Sequence, residues 1–146
     1  MSALHSYLKM ETAEALATLE SLIASGYDMY DITVRAQYDI ASTNGTVSDE
    51  QFNKWDLYYV DWQNVTAGKL REVFHSVNYT NEFIVANRST ELKVSASRED
   101  NLIECMLGSI TKLEEFRNRI FDKGVLHIAK SGTIEFYSVK AASKQS

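Results

Sequence analysis

The stretch KWDLYYVDWQNVTAGKLREVF, residues 54–74, is the densest aromatic region of the chain and decides the fold. It holds two tryptophans and two tyrosines within eight positions, from Trp55 to Trp62. Just before it, Ser48 and Gln51 have the spacing of a capping box, in which the Ser48 hydroxyl accepts a hydrogen bond from the backbone N–H of Gln51. A helix is therefore expected to begin near residue 49.

Bulky side chains recur at steps of three or four through this helix, which predicts one buried face and an end near His75. The stripe consists of Phe52, Trp55, Tyr59, Trp62, Thr66, Leu70, Val73 and Phe74. Tyr58 lies on a flank of the stripe, beside Val65. Two interpretations follow for the aromatic cluster. Either it is a bulky core seam, or Trp55, Tyr58, Tyr59 and Trp62 bind a partner or a ligand.

Helical periodicity continues on both sides of this segment. Residues 3–25 predict an amphipathic helix that ends near Gly26, and residues 27–42 predict a second helix. Asn44 and Gly45 suit a turn with positive φ, and Gly68 suggests a bend or a close helix approach.

The second half of the chain predicts two more helices. Residues 80–86 indicate a short helix capped by Thr80. Ser97 has the position of a helix cap, and the most regular apolar stripe of the chain follows it, up to an end at Gly124. The chain contains no proline, which favours long helices.

Three alternating apolar segments indicate short strands: residues 90–95, 125–129 and 133–140. The last two flank a glycine-containing turn and predict a β-hairpin. The expected fold class is therefore α+β, mainly α: a helical bundle of three long helices plus shorter ones, with a small C-terminal antiparallel β-hairpin or three-stranded sheet. Residues 1–140 are expected to form one domain, and residues 141–146 a frayed tail.

Composition excludes several classes of function. The net charge is −5, and no segment concentrates basic residues, so nucleic acid is not an expected partner. Apolar runs fall far short of the roughly 20 residues that span a bilayer, so no membrane association is expected. The N-terminus lacks the pattern of a signal peptide, and Cys105 is the only cysteine. We therefore expect a cytoplasmic protein in a reducing compartment.

No arrangement of residues points to catalysis. His5, His75 and His127 are widely separated, and Cys105 lies within an apolar helical stripe, so neither a metal site nor a reactive thiol is expected. Nucleophile and phosphate-binding motifs are absent. The close carboxylates at Asp28 and Asp31, and at Glu114 and Glu115, are typical of a solvated helix face. No cofactor and no enzymatic activity are predicted.

Four segments taken in order resemble a known family. LESLIASG, DWQNVTAGKLREVF, YTNEF and MLGSITKLEEF, within residues 19–116, look like the pieces of the small helical accessory domain of bacterial anti-phage defence proteins. In that family a glycine usually follows the phenylalanine of the second piece, whereas here His75 follows Phe74. The resemblance implies an accessory or sensing role without catalysis, in a bacterial defence or mobile-element context.

These observations favour a non-enzymatic protein-interaction or accessory module that forms a homodimer or binds a protein partner. The alternative is a small-ligand-binding protein, for a nucleotide-like molecule, with an aromatic wall of Trp55, Tyr58, Tyr59 or Trp62. A hydrolase with an unrecognised pair of carboxylates is a third reading.

Overall fold

Four helices make up nearly all of the described fold. A computed structural model of the chain describes residues 7–89, 97–123, 125–128 and 134–137. The helices are α1 (Thr12–Ser42), α2 (Asp49–Val73), α3 (Val77–Ser89) and α4 (Arg98–Lys123). Two four-residue segments, β1 (Val125–Ile128) and β2 (Ile134–Tyr137), follow α4 and pair antiparallel.

The predicted helical bundle is confirmed, but the α+β class is wrong. Every described residue of the buried core lies in one of the four helices, at Leu8 before α1, or at Phe74 after α2. The described fold is instead nearly all-helical, because most of the described residues lie in α1 to α4, and the predicted third strand at 90–95 lies outside the described residues. Alternation of apolar residues indicates local extended backbone, but it does not determine whether that backbone becomes part of a core.

The first helix differs from the prediction at both ends. Helix α1 runs without interruption through Gly26, so the predicted helix end there is wrong. A Cβ added at Gly26 would lie 2.7 Å from Cζ2 of Trp62 and 2.9 Å from Cγ1 of Ile110. The missing side chain thus allows α2 and α4 to approach α1 closely. The helix begins at Thr12, so the prediction that residues 7–11 are helical is also wrong.

Residues 7–9 instead run beside the junction between α2 and α3. Leu8 forms an isolated antiparallel bridge with Phe74. The Lys9 N–H donates to the Val73 carbonyl over 2.8 Å, and the His75 N–H donates to the Tyr7 carbonyl over 3.2 Å. These bonds hold Leu8 in the core and join the chain before α1 to the end of α2.

Side-chain caps set the starts of the later helices. The Gln51 N–H donates to Ser48 Oγ over 3.1 Å, and the Asp100 N–H donates to Ser97 Oγ over the same distance, so both predicted caps are confirmed. The third helix begins at Val77, with the Asn78 N–H donating to Ser76 Oγ over 3.1 Å. The predicted cap at Thr80 is therefore wrong. The Thr80 side chain is buried, and its hydroxyl has no hydrogen-bond partner among the described residues.

Helix α4 provides the central surface of the core and contacts both α1 and α3 extensively. Its predicted stripe is confirmed by the buried residues Leu102, Met106, Ile110, Leu113, Phe116 and Ile120. Within the described part of the chain, no helix is both long and apolar enough to cross a membrane.

Candidate functional site

The structure divides the four aromatic residues that the sequence singled out. Trp55, Tyr59 and Trp62 are only 4%, 3% and 6% exposed and belong to the core. Tyr58 is 40% exposed and lies on the surface of α2. The helical period accounts for this division, because positions 55, 59 and 62 share one face of the helix and position 58 lies on the flank of that face.

The Trp62 side chain is held at the meeting point of three helices. Its indole N–H donates to Ser25 Oγ over 3.0 Å, with the Leu22 carbonyl 3.4 Å away. The indole ring lies against Gly26 and makes an edge contact with Phe83, with the ring centroids 5.7 Å apart. Trp62 is therefore a packing residue, and both its ring and its polar atom have partners inside the protein.

The Tyr59 hydroxyl is the centre of a small polar cluster between α2 and α4. It donates to the Cys105 carbonyl over 3.0 Å and shares a 2.7 Å hydrogen bond with Ser109 Oγ. The Gln63 amide donates to it over 3.1 Å. Since a buried hydroxyl needs such partners, this cluster satisfies the polar end of an otherwise apolar residue. The hydroxyl end of the Tyr59 side chain is therefore hydrogen-bonded to α4.

Outside its buried stripe, α2 carries several exposed apolar side chains. Leu57, Tyr58, Val60 and Val65 are 61%, 40%, 40% and 59% exposed, and they are four of the nine large hydrophobic residues found exposed in the described chain. We call this side the outer face of α2, which consists of Glu50, Asn53, Lys54, Leu57, Tyr58, Val60, Asp61, Asn64, Val65, Gly68, Arg71 and Glu72. Single exposed hydrophobic residues are ordinary, but several on one helix face are typical of an interaction surface.

Charges lie towards the two ends of the outer face. Glu50 is in the first turn of α2, is 84% exposed and is 4.0 Å from Lys54. Arg71 is in the last turn, is exposed, and makes no ion pair with any described residue. Asp61, near the middle of the face, is exposed and likewise has no described ion pair.

Gly68 lies on the outer face rather than at a helix contact. A Cβ added there would meet no described heavy atom within 4 Å, apart from the nearby backbone of its own helix. Among the described residues no helix approaches Gly68 closely, so that one of the two expectations for this glycine, a bend or a close approach, is wrong there. Because glycine has no side chain, the outer face is recessed at Gly68, near the C-terminal end of α2.

The groups able to support chemistry are dispersed among the described residues. No three metal-ligating side chains come together in that part of the chain. His75 is exposed, whereas His5 lies outside the described residues. Burial raises the pKa of the Cys105 thiol, which makes it a poor nucleophile at neutral pH.

The close carboxylate pairs do not form an acid–base site. Asp28 and Asp31 are exposed on α1. Glu114 accepts a hydrogen bond from the Tyr27 hydroxyl over 3.0 Å, and Glu115 pairs with Lys112 over 2.6 Å. Each carboxylate of the second pair thus has its own structural partner.

Sequence reasoning identified part of the outer face but not its extent. Tyr58 and Val65 were placed together on a flank of α2, whereas Leu57, Val60, Glu50 and Arg71 were not linked to them. The available signal was the presence of apolar residues between the positions of the buried stripe. That signal is weak, because an exposed Leu or Val is common on the surface of any protein.

Comparison with known proteins adds no relative to this description. No family model matches the chain, and neither a curated protein nor a solved structure is similar to it. The candidate site therefore rests on the residues of this chain alone, and it is the outer face of α2.

Proposed function

We propose that this chain is a non-enzymatic protein-interaction module that binds a protein partner through the outer face of α2. The supporting observation is that four exposed hydrophobic residues, Leu57, Tyr58, Val60 and Val65, lie within nine positions of one helix, outside its buried stripe. Burial of such a surface is the main favourable contribution in most protein associations. Tyrosine is among the residues enriched at interfaces.

Substitution of the outer face tests this proposal. Leu57→Glu and Val65→Glu place glutamate, a good helix former, at exposed positions. They are therefore expected to leave the fold intact while placing charge in the apolar surface. Ile32→Glu is the matched control, because Ile32 is also exposed but lies on α1. The tagged chain is mixed with host extract and with an untagged copy of itself, and the retained proteins are identified.

The proposal predicts at least one protein that the wild-type chain and Ile32→Glu retain and that both outer-face variants lose. An untagged copy of the chain counts as such a protein. If all of the variants retain the same proteins as wild type, the outer face is not the contact surface.

The accessory role in a bacterial defence or mobile-element context belongs to this proposal, as does a cytoplasmic location. Support for the context comes from the resemblance in residues 19–116, and support for the location comes from the lone cysteine. Gene neighbourhood tests the context: genes for defence effectors beside this one are expected, and a neighbourhood of unrelated housekeeping genes would contradict it.

The small-ligand alternative has less support. An aromatic wall of Trp55, Tyr59 and Trp62 would require rings that a ligand can reach, whereas all three side chains are buried. Of the four aromatic residues in the predicted wall, only Tyr58 is exposed to solvent. Tryptophan fluorescence tests the alternative directly, because both tryptophans lie in α2. Saturable quenching by a nucleotide would favour it over the interaction module.

A further inference from the structure

We infer that residues 7–11, which we call the strap, switch between two structures: the docked form beside the junction of α2 and α3, and a helical form that lengthens α1. The inference goes beyond the proposed function, because the strap is not part of the outer face of α2. It follows from the way α1 begins, from the sequence of the strap, and from the few contacts that hold the strap in place.

Helix α1 begins without a local start signal. Its N-cap residue is Glu11, whose side chain makes no capping hydrogen bond, whereas α2 and α4 begin at Ser48 and Ser97 with capping bonds of 3.1 Å. A side-chain cap normally marks the first residue of a helix, because it accepts from one of the unpaired N–H groups there. The start of α1 at Thr12 is therefore set by the docking of the strap.

The sequence of the strap is that of a helix. The residues YLKME at 7–11 include no glycine, no proline and no β-branched residue, and four of the five are good helix formers. Leu8 lies seven residues before Ala15 and eleven before Leu19, so it continues the buried stripe of α1. Released from its docking site, the strap is expected to extend α1 by at least one turn.

The docked strap is held by one buried side chain and two backbone hydrogen bonds. Leu8 is 5% exposed and bridges to Phe74. The hydrogen bonds are the Lys9 N–H to the Val73 carbonyl and the His75 N–H to the Tyr7 carbonyl, described above. Segments with so few contacts open locally at low free-energy cost. Docking therefore depends mainly on the burial of Leu8.

The contact of Met10 with Thr18 belongs to the docked form alone. The Thr18 hydroxyl lies 4.0 Å from the Met10 sulfur, although the two residues are eight positions apart. In a continuous helix they would be about 12 Å apart along the axis, and the Met10 side chain would point away, towards the N-terminus. The two forms of the strap therefore exclude one another.

The end of α4 explains why the docked form is the one described. Helices α1 and α4 run antiparallel, with Arg117 Nη1 3.0 Å from Glu20 Oε1. From that pair α4 continues for six residues to Lys123, and α1 goes back eight residues to Thr12. A longer α1 would run past the end of α4, where Leu8 loses buried contacts. The two forms thus exchange the burial of Leu8 for additional helical hydrogen bonds.

Release of the strap also changes the junction of α2 and α3. The Val73 carbonyl and the His75 N–H lose the strap as a hydrogen-bond partner, and Phe74, which is 1% exposed in the docked form, loses its contact with Leu8. The switch therefore couples the length of α1 to the opening of an apolar slot at this junction.

Leu8→Ala tests the switch, because it removes the buried side chain and keeps a good helix former. It is expected to lower the docking equilibrium constant about tenfold or more. In NMR spectra of the full chain, the 13Cα shifts of residues 9–11 are expected to become helical. Exchange of the His75 N–H is expected to accelerate about tenfold. The N–H groups of Ala13 and Glu14 are expected to exchange more slowly, since a longer helix supplies their acceptors.

Two further variants separate the switch from a general loss of stability. Leu102→Ala is the matched control, since Leu102 is also buried but lies at the start of α4, and it is expected to leave the shifts of residues 9–11 unchanged. Adding Lys9→Gly to Leu8→Ala places a poor helix former at an exposed position of the strap. That double variant is expected to keep the fast His75 exchange and to lose the helical shifts.

Lys9→Pro is a second route to release that leaves no cavity, and it decides the test if Leu8→Ala does not fold. It removes the N–H that donates to Val73, and proline is tolerated in the first turn of a helix. Helical shifts at Met10 and Glu11 with faster His75 exchange are expected.

Two results overturn the inference. One is faster His75 exchange with random-coil shifts at residues 9–11, which makes the strap a fraying end without a second structure. The other is unchanged shifts and exchange in the folded variants, which shows that the docking contacts do not choose between two forms. Both results leave the proposed function untouched, because neither involves the outer face of α2.

Discussion

The missing side chain at Gly26 lets three helices meet. The Gly26→Ala methyl group would lie 2.7 Å from Trp62 and 2.9 Å from Ile110, and both of those side chains are buried. We expect Gly26→Ala to lower the free energy of unfolding by about 1–3 kcal/mol, since overpacking outweighs the gain in helix propensity. Urea unfolding followed by circular dichroism measures the change.

Gly68→Ala is the matched control for that substitution. It places the same methyl group at a second helix glycine, where no described atom lies within 4 Å outside the local backbone. We expect it to raise the free energy of unfolding by up to about 1 kcal/mol, at a protein concentration where the chain is monomeric. Equal effects of the two substitutions would contradict the difference in packing.

The Tyr59 hydroxyl provides a second prediction at the scale of one residue. Tyr59→Phe keeps the ring but leaves Ser109, Gln63 and the Cys105 carbonyl without that partner. We expect a loss of about 1–2 kcal/mol in the free energy of unfolding. Tyr58→Phe is the control, because the exposed Tyr58 is expected to change stability by less than about 0.5 kcal/mol. A neutral Tyr59→Phe would refute the importance of the cluster.

Local sequence signals predicted individual residues well where the cause is itself local. The Ser48 and Ser97 caps depend on a hydroxyl and an N–H three residues away, so their spacing identifies them. Gly26 was misread because its environment comes from Trp62 and Ile110, which are distant in sequence. A glycine that ends a helix and a glycine that admits another helix look the same in a single sequence.

At the scale of the elements, the caps of α2 and α4 are testable. We expect Ser48→Ala and Ser97→Ala each to lower the free energy of unfolding by about 1 kcal/mol, because each leaves a backbone N–H without its acceptor. Ser21→Ala, at an exposed position inside α1, is the control and is expected to be neutral or slightly stabilising. Thermal unfolding of the three variants checks this, and equal effects would argue against the caps.

Helices α3 and α4 are joined by a bidentate ion pair. Arg119 donates to the two carboxylate oxygens of Glu82 over 2.9 and 3.1 Å. This pairing lowers the pKa of Glu82 below its usual 4.5 and raises the pKa of Arg119. The stabilisation is therefore fully present above pH 4.5 and is lost as the pH falls through the lowered pKa.

Glu82→Gln tests this pH dependence. Since the Glu82 and Arg119 side chains are 39% and 37% exposed, we expect the wild type to be more stable by only about 0.5–1 kcal/mol at neutral pH. The difference is expected to shrink towards zero in acid, below the lowered pKa of Glu82. Urea unfolding at a series of pH values measures it, and a difference that stays constant down to pH 2 would contradict the assignment.

At the scale of the whole molecule, periodicity identified the helical bundle but not the class. The buried stripes of α2 and α4 were predicted because a 3.6-residue period reports one buried face directly. The alternating segments near the C-terminus led to an α+β class, whereas the described fold is nearly all-helical. Alternation carries no information about which element packs on which, and only the arrangement of the four helices decides that.

The candidate site was predictable only in part for a related reason. The same period that assigns Trp55, Tyr59 and Trp62 to the core assigns Leu57 to the surface and Tyr58 and Val65 to a flank. It does not report whether a second protein covers that surface.

The central claim is that the chain binds a protein through the outer face of α2, and capture of proteins by the wild-type chain, Leu57→Glu and Ile32→Glu tests it most directly. The account predicts at least one protein that the wild type and Ile32→Glu retain and that Leu57→Glu loses, because both substituted residues are exposed but only Leu57 lies on the outer face. Retention of the same proteins by all three chains would contradict the claim.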